Sequence, residues 1–194
     1  MMNKDHLLIN YIWPLKKTNV ILKNIVLVML GTVILTISAK IQIPFWPVPM
    51  TMQTYVVLVI SMIYGFRLSI ITLTVYLLEG ALGIPVFAKG GGLLYLTGPT
   101  AGYLYGMLLA SGVIGYYSER GFNKSIVNSI PLLLLGVNII FIFGIVYLGS
   151  IIGFEKALIA GLLPFVPSEV FKIALALCTL GLLKKYYIKN DQKI

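Results

Sequence analysis

Gly83-Ile84-Pro85-Val86-Phe87-Ala88-Lys89-Gly90-Gly91-Gly92, followed by Gly98-Pro99-Thr100-Ala101-Gly102-Tyr103, is the stretch on which the reading of this chain turns. Glycine and proline at this density stop a helix. Apolar helical segments flank it, residues 68–82 before and residues 98–117 after. In lipid, backbone that leaves its helix must be covered by protein or line a water-filled cavity, because nothing else satisfies its N–H and C=O groups. This irregular loop is therefore expected to belong to a binding site. Its three adjacent glycines predict that residues 87–97 open and close over that site.

The rest of the composition agrees. The 194 residues are 59% hydrophobic and 11% charged, with a mean hydropathy of +0.96. A soluble domain of this size could not hide so much apolar surface. The length admits about six spans of roughly 20 residues each. The fold class is an all-α polytopic membrane protein, a six-transmembrane-helix bundle with a ligand pocket at its outer face. Residues 1–22 read as an N-terminal tail, 23–187 as the membrane domain and 188–194 as a C-terminal tail. The first twenty residues, interrupted by Asp5 and Pro14, do not read as a secretory signal. Lys16, Lys17 and Lys23 read as a basic anchor, and His6 as a solvated tail residue.

Several function classes are excluded. No G-x-x-x-x-G-K-[S/T] pattern occurs, so nucleotide hydrolysis by that route is out. The formal charge of +9 does not point to nucleic acid, because the basic residues flank the membrane segments instead of forming a patch. Cys178 is the single cysteine, so there is no internal disulfide. No intramembrane histidine, and no Cys, Ser or Asp set beside a base, supports an enzyme. No metal or cofactor is expected.

The spans are expected at residues 24–43, 52–64, 68–82, 98–117, 126–152 and 168–187. Thr51, Gly98 and Ser168 serve as N-caps of the second, fourth and sixth, with Pro99 at the first position of the fourth. Gly65-Phe66-Arg67 makes the turn between the second and third. The second is short for a full span, and charge decides its place. With six spans, eleven of the fifteen Lys and Arg fall on one side: Lys4, Lys16, Lys17, Lys23, Arg67, Arg120, Lys124, Lys184, Lys185, Lys189 and Lys193. The other four are Lys40, Lys89, Lys156 and Lys172. The excess of positive charge puts both termini in the cytoplasm, in a multi-pass protein of the plasma membrane.

Three helix starts, near Gln53, Thr100 and Glu169, open on the outer side. Each offers free N–H groups and the positive end of a dipole to an anionic or strongly hydrogen-bonding ligand, although ordinary capping explains each one singly. Lys172 lies inside the sixth helix, followed by Ile173-Ala174-Leu175-Ala176-Leu177. A lysine at full membrane depth costs about 2.5–3.5 kcal/mol. Glu169, three residues earlier, faces the same way. The two form either a local ion pair or a polar pair serving a ligand with a carboxylate and N–H donors. Glu79 is a further acid in the outer half, either an interfacial residue or a ligand contact. Lys89, Gln53, Thr100, Tyr95 and Tyr103 supply charge, hydrogen bonds and aromatic walls near the same face. Lys40 is expected to snorkel.

The motifs Gln42-Ile43-Pro44, Val48-Pro49-Met50-Thr51-Met52-Gln53-Thr54, Tyr76-Leu77-Leu78-Glu79-Gly80-Ala81-Leu82-Gly83-Ile84-Pro85-Val86-Phe87-Ala88, Gly98-Pro99-Thr100-Ala101-Gly102-Tyr103 and Leu163-Pro164-Phe165-Val166-Pro167-Ser168-Glu169-Val170-Phe171-Lys172 occur in this order. Together they closely resemble the BioY family, the biotin-binding S components of energy-coupling factor importers. The resemblance runs from about Leu22 to Lys184. It implies a six-helix bundle that binds biotin near its outer face and passes it across the membrane. It also implies an acid and a lysine as biotin ligands, at Glu169 and Lys172. In the family the last motif reads Pro-Gly-Asp before the lysine; here Ser168 and Glu169 replace the glycine and aspartate. A basic outer-loop residue is also implied, with Lys89 the candidate. Family members dock on a transmembrane coupling protein, and so on ATPase subunits, through small residues of the first helix. Gly31, Thr32 and Thr36 stand there in place of the usual alanines, leaving docking or self-association open. Apart from lipid, no other partner is implied. A different mechanism, a proton-coupled carrier for a small carboxylate or vitamin, would use Glu79 and Glu169 as its relay.

Overall fold

The computed structural model of the protein describes residue 9, residues 19–122 and residues 125–191. The expected N-terminal anchor at Lys16 and Lys17, His6 and Lys124 lie outside the described residues. The chain forms a helical bundle, as its composition requires. Helix α1 (Val20–Lys40) starts at Asn19, whose side chain accepts from the Ile21 amide at 3.0 Å. It stops at Lys40 rather than Ile43, because Gln42 and Ile43 leave the helix as a short strand β1 (Gln42–Ile43). That strand pairs antiparallel with β2 (Met50–Thr51), Gln42 opposite Thr51 and Ile43 opposite Met50. Pro44, Pro47 and Pro49, which cannot donate to a helix or a ladder, shape the connection.

Helix α2 (Gln53–Tyr64) has 12 residues. At 1.5 Å per residue it is ~18 Å long, far short of the ~30 Å hydrocarbon layer. It is nonetheless part of the bundle, because it is buried nearly all round. Its outward continuation, Pro47, Val48, Pro49 and Met50, is buried too, so irregular backbone at this level is covered by protein. Thr51 does supply the capping oxygen, accepting from the Gln53 amide at 3.3 Å, although Met52 occupies the cap position.

Helix α3 (Phe66–Ala81) leads to the Gly-rich loop, which contains a 3-10 turn at Leu93–Thr97. Helix α4 (Ala101–Tyr117) begins two residues beyond Pro99, since the Gly98 carbonyl is used in a tight turn by the Ala101 amide at 3.0 Å. Helix α5 (Ile126–Ile152) has the expected bounds, capped by Ser125. A short helix α6 (Phe154–Gly161), absent from the expected spans, crosses to the last helix. Helix α7 (Val166–Asp191) starts before Ser168, because the 3-10 turn Leu163–Phe165 runs straight into it and Pro167 fits a helix's first turn.

Between membrane helices, close packing replaces the hydrophobic effect as the main source of association. The most extensive packing joins α4 to α5. Gly102 and Gly106, four apart on α4, allow it: a Cβ on Gly106 would stand 2.8 Å from the Ile140 Cα and 2.9 Å from its carbonyl oxygen. Among the described residues, three stretches are long and apolar enough to cross a membrane: Val20–Lys40, Ile126–Ile152 and Phe154–Tyr186. The protein is a helical membrane protein, with the shorter α2, α3 and α4 packed among the long helices.

Candidate functional site

The site begins with one buried pair. Lys172 Nζ donates to Glu169 Oε1 at 2.7 Å, both residues on α7. Glu169 is 5% exposed and Lys172 2%. Thr54, in the first turn of α2, reaches the same oxygen through a long 3.4 Å contact. The second carboxylate oxygen, Oε2, is buried without a hydrogen-bond partner among the described residues. A buried carboxylate oxygen left unpaired is costly, and such atoms in native proteins call for an explanation.

The pair faces a cavity of about 40 Å³. Its polar lining also includes Thr51, Gln53 and Thr54 from the start of α2, Tyr95 and Thr100 from the loop, and Tyr103 from α4. Its apolar lining includes Met107, Ile140, Phe141 and Phe165. The aromatic rings meet edge on, Tyr103 with Phe141 at 5.8 Å and Phe141 with Phe165 at 5.9 Å between centroids. The Tyr103 hydroxyl is not free for a ligand; it donates to the Gly161 carbonyl at 2.9 Å. Gln53 is likewise engaged, its amide donating to the Tyr76 hydroxyl at 2.7 Å. A charged, hydrogen-bonding wall thus faces an aliphatic and aromatic one. That suits an amphiphilic ligand with N–H donors at one end.

A second, open cleft of about 320 Å³, called the outer cleft on the orientation expected from the sequence, lies beside the cavity, lined by Lys89, Gly91, Leu94 and Pro99 among others. Pro49, Tyr95 and Thr100 border both spaces, so they form the partition between them. Burial pushes the Tyr95 hydroxyl above its ordinary value, with a hydrogen bond to Thr100 opposing the shift. The hydroxyl therefore stays neutral and able to donate.

Of the residues proposed from sequence, Lys172, Glu169, Gln53, Thr100 and Tyr103 line the inner cavity. Lys89 lines only the outer cleft, exposed to solvent. Glu79 lines neither space, so the structure does not bring it to the ligand set or join it to Glu169 as a relay. Gly31 and Thr32 are buried inside the chain; a Cβ on Gly31 would meet the side chains of Thr72 and Tyr64. Helix-helix packing within the bundle already uses them, while Thr36 is half-buried. Sequence reasoning missed Thr54 as a partner of Glu169. The signal was there: a second polar residue beside Gln53 at the start of an otherwise apolar helix.

Known proteins resemble this chain in sequence and in fold. A solved structure described as the S-component for biotin from an ECF-type ABC transporter superposes with a TM-score of 0.77 at 24% identity, covering 87% of this chain and 94% of that one. At that identity the likeness speaks for the fold. A probable biotin transporter BioY from Pyrococcus horikoshii is 34% identical over 155 residues, 79% of this chain and 91% of that protein. The biotin transporter BioY of Thermotoga maritima is 33% identical over 161 residues, 82% of this chain and 94% of that protein. The BioY family model matches residues 10–189, which takes in every residue of the cavity wall, and on that ground this chain belongs to the BioY family.

Proposed function

We propose that this chain binds biotin at the Glu169–Lys172 cavity and serves as the substrate-binding component of a biotin importer in the plasma membrane. The observation that carries the reading is the unpaired, buried Glu169 Oε2 beside Lys172, set opposite an apolar wall. Biotin's ureido ring offers two N–H donors and a carbonyl. The free carboxylate oxygen can accept from an N–H, and the remaining Lys172 protons can donate to the carbonyl. The thioether ring and alkyl chain then lie along Met107, Ile140 and Phe141.

The inner cavity of about 40 Å³ is smaller than the ~300–1,000 Å³ usual for a small-molecule site. Biotin therefore needs the partition at Tyr95 and Thr100 to move, which would join the cavity to the outer cleft. Lys89, on the rim of that cleft, is then placed to meet the ligand's carboxylate. For a coupling partner, or a second copy of the chain, the available surface of α1 is its exposed side, including Met29, Val33 and Ile37.

Biotin binding by the purified protein, with desthiobiotin and unrelated vitamins as competitors, tests the reading. Saturable binding displaced by desthiobiotin and by no other vitamin supports it; no binding sinks it. The proposed orientation, with both termini cytoplasmic, rests on the eleven-to-four charge asymmetry. Cysteines at Lys89 and Lys156 should react with an impermeant thiol reagent from outside and one at Arg67 should not. The opposite pattern overturns it.

A further inference from the structure

Three consecutive carbonyls of the outer loop are held by side chains from elsewhere. Tyr76 donates to the Val86 carbonyl at 2.9 Å, Lys40 to the Phe87 carbonyl at 2.6 Å and Gln42 to the Ala88 carbonyl at 3.1 Å. Val86, Phe87 and Ala88 are all buried, so their carbonyls call for protein partners. The three side chains that supply those partners also fix where this backbone lies. Lys40 ends α1 and is exposed, where a snorkelling lysine would turn to water. It turns to the loop instead.

The loop is otherwise built to be placed. The fully buried Phe87 ring stacks on Tyr95 at 4.8 Å and meets Tyr76 edge on at 5.5 Å. A methyl on Gly80 would overlap that ring, so glycine is needed for it to seat. The Phe87 and Gly90 amides bond each other's carbonyls, closing a tight turn, and Gly90 and Gly92 have φ of +131° and +102°. The glycines thus shape the segment, and its freedom to move is set by what grips it. Gln42 Oε1 is buried without a partner among the described residues, so the grip is incomplete.

We propose that Lys40 and Gln42 are positioning residues that latch the 86–88 backbone over the pocket and set how fast ligand exchanges. The Gln53–Tyr76–Val86 chain of bonds ties the same backbone to the pocket wall. Ala88, within the latched turn, and Tyr95, stacked on Phe87, are themselves cavity walls. The proposal rests on the reading of the cavity as a biotin site. A latch present in both the free and the bound closed states, and lost only on opening, cancels from the equilibrium constant and appears in the rates.

Stopped-flow binding of biotin to the purified full chain, with Lys40→Met, Gln42→Ala and Lys40→Arg, decides it. Loss of one such bond at a partly exposed site is expected to raise association and dissociation rates together by about three- to tenfold, with Kd within about twofold. Lys40→Arg, which keeps a charged donor, should stay near the wild type. Unchanged rates in variants of a protein that binds biotin overturn the latch. So does a changed Kd at an unchanged association rate. If the wild-type protein binds no biotin, the reading of the site fails, and hydrogen exchange of the Phe87 and Gly90 amides in the ligand-free protein still tests the latch. Exchange several-fold faster in Lys40→Met or Gln42→Ala supports it, and exchange at the wild-type rate overturns it.

Discussion

Two buried glutamates sit at opposite ends of the bundle. Glu119, past the end of α4, is 6% exposed, and Glu169, in the first turns of α7, is 5% exposed. Burial alone does not tell them apart. Their partners do. Glu119 Oε1 accepts from the Phe66 amide at 3.0 Å, capping the start of α3, and its neighbour Ser118 donates to the Met62 carbonyl at 2.7 Å. Those bonds knit the α2–α3 turn to the end of α4 and use backbone groups that a helix start always leaves free. Glu169 is paired with a buried lysine on its own helix, and its other oxygen has no partner among the described residues. The first acid completes the fold. The second leaves an open acceptor at a cavity, which is what a binding site requires.

The sharpest way to break this contrast is to remove Lys172. Taking away one partner of a buried ion pair leaves an uncompensated charge and costs about 3–5 kcal/mol of stability. A lost charge-assisted hydrogen bond to ligand costs about 1.5–3 kcal/mol, roughly ten- to a hundredfold in affinity. Lys172→Ala is therefore expected to weaken biotin binding by at least tenfold as well as lowering thermal stability, measured by titration calorimetry and melting on one preparation. Lower stability with unchanged affinity would place Glu169 and Lys172 in the same structural class as Glu119. Glu169→Gln should have a smaller effect on affinity, because an amide oxygen still accepts, while it too lowers stability by leaving Lys172 without its counter-charge. Its affinity is expected to fall by about tenfold or less, and Glu169→Asp should stay close to the wild type. Smallest for the ligand is Glu119→Ala. Removing a helix cap should cost about 0.5–2 kcal/mol of stability and leave biotin affinity unchanged. A loss of affinity there would show that the two ends of the bundle are coupled.

Much of this was legible in the residues. The largely apolar run over residues 126–152 gave the bounds of α5. The i, i+3 spacing of Glu169 and Lys172 announced a pair on one face, as observed at 2.7 Å. The Gly-rich loop read as the irregular region of a site, and Tyr95, Thr100 and Ala88 from it line the cavity. The helix starts at Ala101 and Val166 were less legible, because a preceding turn or 3-10 segment can take the capping groups without changing the sequence signal. The latch could not be read at all. Lys40 and Phe87 are 47 residues apart, and a lysine at the end of a membrane helix has the same local pattern whether it reaches for water or for a distant carbonyl.

What the sequence determined by itself is therefore the class of molecule, the number of bundle helices and the acid–lysine pair. Each follows from apolar run length, helix breakers, the distribution of charge between spans or spacing within one helix, none of which needs a tertiary contact. Tertiary structure decided which polar atoms were already spent. It turned Gly31 inward against α3, buried Thr32, engaged Gln53 with Tyr76, set Glu79 aside and left Glu169 Oε2 open. Those outcomes depend on which helix faces which, and on hydrogen bonds that close only when distant segments meet.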